Sequence, residues 1–185
     1  MGVHGRIADF GAFYERTYPA AFRVAYGIVG RPDQADDVTQ DAYATAYRER
    51  GRYRGDGPPE AWLYRIVVNT ALTMLRHQRV RRLVPLDPAA HERPLWDGPS
   101  MDDRVAIAEG LQRLDPRARA AIVLRYYLDL DYASIGSILA ISPTNVGAVL
   151  SRSRDRLREC MATDAGISEA PPATATVAKE GVRHG

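Results

Sequence analysis

At 185 residues the chain is long enough for one large domain or two small ones, each with a workable core. A single cysteine, Cys160, excludes an internal disulfide or a thiolate zinc site. No apolar run long enough to span a bilayer and no basic-then-apolar leader is visible, so a cytoplasmic protein without membrane insertion is expected. The net charge of +2 hides a segregation: nine arginines between Arg48 and Arg82 face only Glu49, Asp56 and Glu60, directly downstream of Asp33, Asp36, Asp37 and Asp41. The basic zone suits phosphate neutralisation, whereas the acidic run would repel DNA and suits a basic protein surface.

In chain order, Asp9 is expected to cap a first helix carrying Phe10, Phe13 and Tyr14. Tyr18-Pro19 is expected to break and restart it through Phe22, Ala25, Tyr26 and Val29, before Gly30-Arg31-Pro32 ends it. Asp33 is expected to cap a second helix to about Arg50, with Val38, Ala42, Ala46, Tyr43 and Tyr47 at helical spacing. The glycines and prolines of 51–59 make a loop, and a third helix follows from about Glu60 to Arg82. Residues 84–100 carry four prolines and an acidic excess and read as a linker. Asp102 or Asp103 then caps a helix to about Leu114, and Asp115-Pro116 caps and starts the next. The expectation is all-α: two helical domains, 8–83 and 102–161, joined by a flexible linker at 84–101, with a disordered tail at 162–185 rich in Ala, Thr, Pro and Gly.

Residues 130–150 read as two short amphipathic helices joined by a three-residue turn. Asp131 caps the first, Ser142 the second, and Pro143 takes the first helical position, where a missing amide proton costs nothing. Ile135, Ile138, Leu139, Ile141, Val146 and Leu150 supply the inward contacts. This is a helix-turn-helix, whose second helix fits a major groove.

The third helix has two faces. Leu63, Val67, Ala71 and Met74 form an apolar stripe. Trp62, Arg65, Asn69, Thr73 and Arg76 form another that mixes an aromatic ring, guanidiniums and an amide, a combination suited to unstacked bases and their phosphates. Tyr53, Arg54 and Asp56 lie in the loop before it, and Arg79 extends the basic track beyond it. His77 has no second ligand at metal spacing and belongs to that surface.

The pattern resembles the extracytoplasmic-function (ECF) group of bacterial sigma factors, the small two-domain members of the sigma-70 family. Residues 35–43 (Ala-Asp-Asp-Val-Thr-Gln-Asp-Ala-Tyr), Ala61-Trp62-Leu63-Tyr64-Arg65-Ile66 and Asn69 look like region 2. The stretch from Leu114-Asp115-Pro116 through Tyr132 to Leu157 looks like region 4. The resemblance implies a non-enzymatic protein without cofactor that binds core RNA polymerase and directs promoter-specific initiation. It implies that Asp36, Asp37, Gln40, Asp41, Tyr43 and Tyr47 meet the clamp of the largest subunit. Tyr53, Arg54, Asp56, Trp62, Arg65, Asn69, Thr73, Arg76 and Arg79 would capture the melted −10 element. Ser142, Thr144, Asn145, Ala148, Ser151 and Arg152 would read the −35 element, with Ala148 or Val149 available to thymine methyls. The flap of the second-largest subunit, promoter DNA and an anti-sigma factor complete the implied partners. Residues 84–100 reach at most about 55 Å at roughly 3.3 Å each, about 16 base pairs at roughly 3.4 Å per step. Two departures stand out. Gly147-Ala148-Val149 replaces the family's usual Lys-Ser-Arg, which predicts weak −35 recognition, and Thr73 replaces a common aspartate.

Two other readings compete. Asp36, Asp37 and Asp41 superficially match an isoprenoid-synthase magnesium motif, but the second acidic helix of such a site is missing, as are any phosphate loop or catalytic triad. A stand-alone helix-turn-helix regulator would explain residues 104–160 and leave the acidic helix and the Trp62 stripe without purpose.

Overall fold

A computed structural model of the chain describes residues 7, 9–55, 57–81 and 101–164. Asp56, residues 84–100 of the expected linker and residues 165–185 of the expected tail lie outside the described residues, whereas Met101, expected to end the linker, and residues 162–164, expected to begin the disordered tail, are helical. Every regular element described is helical: α1 (Phe10–Val29), α2 (Pro32–Glu49), α3 (Pro59–Arg81), α4 (Met101–Gln112), α5 (Pro116–Tyr126), α6 (Tyr132–Leu139) and α7 (Pro143–Asp164), with a short 3-10 turn at Arg50–Arg52.

The helices form an N-terminal bundle, α1–α3, and a C-terminal one, α4–α7. In the first, Phe13, Ala21, Val24, Ala25 and Ile28 of α1 meet Ala35, Val38, Ala42 and Ala46 of α2 and Leu63, Val67, Val68 and Ala71 of α3, all essentially inaccessible to solvent. The alanines on α2 let its neighbours approach closely, and each buried Val, Leu or Ile contributes about 1.5–3 kcal/mol relative to exposure. In the second bundle Leu124, Ile135, Ile138, Leu139, Val146 and Leu150 are buried, and Ile141 is half-buried.

Three boundary expectations are corrected. Pro19 does not break α1; it lies inside one continuous helix on its exposed side, where water can satisfy the carbonyl that loses its amide partner. Asp9 caps that helix as expected, accepting from the Ala12 amide at 3.0 Å, and Gly30 closes it in the left-handed conformation at φ 78°. The N-cap of α2 is Arg31 rather than Asp33, because Pro32 takes the first helical position; Asp33 sits in the first turn, bridged to Arg31 at 2.9 Å. In α4 the helix already begins at Met101, so Asp102 and Asp103 are first-turn residues rather than caps.

The two bundles are also packed against each other, α1 on α4 and α5, α3 on α5 and α6. Three arginines cross the junction. Arg119 on α5, 5% exposed, donates to the carbonyl of Ile28 in the last turn of α1. Arg23 on α1 donates to the Tyr127 hydroxyl at 3.2 Å and lies over its ring. Arg65 on α3 donates to the Ser137 hydroxyl on α6. At the same junction Gly30 is favoured by its left-handed conformation, and a Cβ there would also displace the end of the Gln112 side chain.

Candidate nucleic-acid interface

On α3 the backbone delivers two stripes as the periodicity predicts. Leu63, Val67 and Ala71 are buried and Met74 half-buried, while Arg65, Asn69, Thr73, Arg76 and Arg79 are exposed along the opposite face. Trp62 heads that row and is half-buried. Its ring lies 5.5 Å from that of Tyr53 at a 41° tilt, and the Tyr53 hydroxyl donates to the carbonyl of Gly57. The loop before α3 is thus closed on itself by Tyr53, which sets a two-ring aromatic platform at the start of a row of cations; Arg54 is exposed on the same loop. Thr45 and Arg48 of α2 and Asn69, Thr73 and His77 of α3 line a groove of about 790 Å³. Sequence reading overlooked Thr45 as part of this surface, because its only signal is its spacing from Asp41 on a helix whose partner was not yet placed.

The acidic helix presents Asp37, Gln40, Asp41 and Tyr47 to solvent. Asp36 is half-buried and accepts from Tyr18 Oη at 3.0 Å and Gln40 Nε2 at 2.7 Å. Burial, reinforced by the bond to Asp36, pushes the Tyr18 hydroxyl up to about 12. Asp41 points around the helix into the groove shared with Asn69 and Thr73, away from Asp36. Tyr47 is 51% exposed, with Phe10 edge-on at 5.2 Å and the Arg50 guanidinium 3.9 Å above its ring. Tyr43 corrects the expectation of a polymerase contact: it is 4% exposed, and its hydroxyl is paired with Thr17 Oγ1 at 2.6 Å. Tyr14 and Tyr18 pack on its ring, and burial raises its pKa to about 12. Tyr43 fastens α1 to α2 and offers no surface to a partner.

The helix-turn-helix is built as the caps predict. Asp131 accepts from the Ser134 amide at 2.7 Å, a bond that lowers the Asp131 pKa, and Ser142 accepts from the Asn145 amide at 3.2 Å. Ala140 takes the left-handed turn position at φ 54°. Thr144, Asn145, Ala148, Ser151 and Arg152 are exposed along one side of α7, and Val146 and Leu150 face inward. Val149 is half-buried and lines a groove of about 520 Å³ with Leu139, Ile141 and Asn145, rimmed by Arg117, Arg152 and Arg156. Gly147 faces the Tyr132 ring, which a Cβ would meet at 3.4 Å. Among the described residues no group of three or more His, Cys, Asp or Glu is arranged to hold a metal ion, and no single helix is long and apolar enough to cross a membrane.

Residues 13–81 match the family Sigma-70 region 2, and residues 104–157 match Sigma-70, region 4. The chain is 30% identical over 156 residues to the ECF RNA polymerase sigma factor SigM of Mycobacterium tuberculosis, covering 84% of this chain and 78% of that one. It is 31% identical over 148 residues to the ECF sigma factor SigE of Mycolicibacterium smegmatis, covering 76% and 57%. Among solved structures, the sigma factor RpoE of Bartonella quintana, in complex with the anti-sigma factor NepR, superposes with a TM-score of 0.72 over 85% of this chain and 99% of that one, at 22% identity. CnrH, in complex with the cytosolic domain of CnrY, superposes with a TM-score of 0.64 over 84% and 88%, at 24% identity.

Proposed function

The chain belongs to the ECF group of the sigma-70 family, and from that premise we propose how its two bundles divide the work of starting transcription. It is a promoter-directing sigma factor rather than a stand-alone regulator, since the α1–α3 half that a regulator would leave unexplained is itself a sigma region.

The α1–α3 bundle carries two functional faces. Asp37, Gln40 and Tyr47, backed by Asp36, form an acidic surface with an aromatic edge, suited to a basic helical clamp on the polymerase's largest subunit, and Asp41 marks its border with the α2–α3 groove. The row Arg65, Asn69, Thr73, Arg76 and Arg79 holds the phosphates of the opened −10 strand, while Trp62 and Tyr53 offer ring faces to its bases. The observation that carries this reading is the Tyr53–Trp62 platform set at the head of an exposed cationic row, a helix away from an acidic surface.

The α4–α7 bundle reads the −35 element with Thr144, Asn145, Ala148, Ser151 and Arg152, Ser142 fixing the start of the reading helix. With Ala148-Val149 and no cation at positions 147–149, and glycine at 147, this helix reads weakly, so most of the promoter affinity comes from the −10 half. The apolar groove with an arginine rim suits the flap of the second-largest subunit. An anti-sigma factor is a further partner: similar structures were solved as complexes of that kind. The work is done in the cytoplasm, with no catalytic group or cofactor of the chain's own.

The test is run-off transcription with purified bacterial core polymerase over a library of promoter fragments. Start sites that appear only when this chain is added support the reading, with one shared −10 sequence among them. Specific duplex binding by the chain alone, with no transcripts in the presence of core, would overturn it.

A further inference from the structure

The groove between α2 and α3 opens beside the cationic row and shares Asn69 and Thr73 with it. At about 790 Å³ it falls within the roughly 300–1,000 Å³ of small-molecule sites, and Ala44, Ile66 and Met74 give it apolar wall between its polar groups. The α2 side carries Asp41, Thr45 and Arg48, spaced to share one face of the helix. Arg48 donates to Thr45 Oγ1 at 3.0 Å, which leaves the hydroxyl proton of Thr45 for another acceptor. On the α3 side Gln78 is half-buried, and its Oε1 is fully buried with no hydrogen-bond partner. A buried amide oxygen left unmatched costs free energy that a donor entering the groove would recover. The carboxylates of Asp41 and Glu49 line the same walls, so the interior repels a phosphate and favours a group that donates hydrogen bonds.

We propose that this groove is a second base-reading site, in which one base of the opened −10 strand turns from the cationic row toward α2 and is selected for its exocyclic amino group, so that adenine or cytosine enters and thymine is rejected. The inference rests on the reading of α3 as the −10 face. A strand whose phosphates lie on Arg65, Arg76 and Arg79 passes the shared rim at Asn69 and Thr73, and a base already unpaired pays little to rotate out of the stack. Inside, the Asp41 carboxylate and Gln78 Oε1 accept from an amino group, as carboxylates do when they read cytosine and amides when they read adenine. The Thr45 hydroxyl donates to the ring nitrogen that adjoins the amino group in both bases. Thymine would instead set its O4 against the carboxylate, an acceptor against an acceptor. The Tyr53–Trp62 platform offers ring faces, which any base can stack upon, whereas the groove offers the edge contacts that distinguish one base from another. Helix α2 thus serves the polymerase with Asp37, Gln40 and Tyr47 and the DNA with Thr45 and Arg48.

The test forms open complexes of core polymerase and the full chain on a promoter found by run-off transcription, with each base of the −10 element varied in turn, and sequences the opened fraction. With the parent chain, one position should prefer adenine or cytosine over thymine by about tenfold or more. Thr45→Val and Gln78→Leu, each of parental helicity, should erase most of that preference and leave the other positions as they were. Gln78→Leu removes an unpartnered oxygen and should melt no lower than the parent, so a flattened preference cannot be charged to lost folding. Trp62→Ala should lower opening on every sequence alike. Base preferences unchanged in both groove variants, with opening still lost in Trp62→Ala, overturn the base-reading groove and leave the −10 face standing. A uniform loss of opening in both variants also overturns it, since that marks a phosphate or polymerase contact. A position that responds to the variants but favours thymine overturns the selection for an amino group. If no position shows a preference and Trp62→Ala opens promoters as the parent does, the reading of α3 fails and the groove with it.

Discussion

The Arg119 guanidinium donates to the carbonyl of Ile28, 91 residues earlier in the chain. A buried charge of the C-terminal bundle is thereby neutralised by the end of a helix in the N-terminal one. Among the described residues no carboxylate hydrogen-bonds to the Arg119 guanidinium. Its other acceptors are the carbonyls of Leu111, Gln112 and Leu114 and the Gln112 side chain, so the negative ends of α1 and α4 do the work of a counter-ion. Burial lowers its pKa to about 10, which leaves it charged at neutral pH.

Replacing Arg119 with Met should therefore destabilise the chain by about 3 kcal/mol, since several buried carbonyls lose their donor together. Lysine keeps the charge but not the planar fork and should recover less than half of that loss. Urea unfolding followed by circular dichroism measures both; a loss for Met below about 0.5 kcal/mol would show the network to be incidental.

The turn of the helix-turn-helix makes opposite demands at two positions four residues apart. A Cβ on Gly136 would sit 2.6 Å from the Ile141 carbonyl oxygen, a backbone atom that cannot step aside without changing the angle between α6 and α7. Gly136→Ala should cost about 2–4 kcal/mol and reduce −35 binding with it. Ala140, held at φ 54°, bears the strain of a left-handed alanine, so Ala140→Gly should gain about 0.5–1 kcal/mol after the greater freedom of the unfolded glycine is deducted. Thermal melts of the two variants should shift in opposite directions.

Tyr43 and Tyr47 are one helical turn apart, and their substitutions should separate stability from binding. Tyr43→Phe removes the hydroxyl paired with Thr17, costs about 1–2 kcal/mol of stability, and leaves affinity for core polymerase unchanged. Tyr47→Ala should do the reverse, weakening core binding by about tenfold with little change in melting. Fluorescence anisotropy of labelled chain against core polymerase reads the affinity.

Tyr18 and Tyr43, pushed up to about 12 by burial, should ionise after the exposed tyrosines in a tyrosinate absorbance titration. A phenol whose folded pKa exceeds its unfolded value of about 10 keeps its proton longer when folded. The stability it contributes is complete below pH 10 and is lost as pH climbs through 12. Arg119, lowered toward 10, sheds its proton first in the folded state and offsets part of that loss. A single titration step near pH 10 for every tyrosine would contradict the buried aromatic cluster.

Much of this was legible in the residues because it depended on local rules. The caps at Asp9, Asp131 and Ser142, the left-handed stop at Gly30 and the two stripes of α3 follow from hydrogen-bond geometry and helical period within a few residues. What failed needed tertiary knowledge. Tyr43 and Tyr47 look alike in sequence, and only the row Phe10, Tyr14 and Tyr18 on α1, turned toward α2, decides that one is enclosed and the other is not. The groove beside Val149 is hidden from the sequence for the same reason, its far wall being supplied by Leu114 and Ala118 at the start of α5 and by Leu139 of α6. The closure of the bundles was invisible because its central bond ends on the Ile28 carbonyl, an atom every residue carries.

The central claim is that the face of α3 headed by Trp62 opens and holds the −10 strand. The most direct measurement is permanganate reactivity of −10 thymines in complexes formed by core polymerase with the parent chain or with a Trp62→Ala, Arg65→Ala, Asn69→Ala variant of matched helicity and core affinity. Reactive thymines with the parent and none with the variant are predicted; equal reactivity in both would contradict the account.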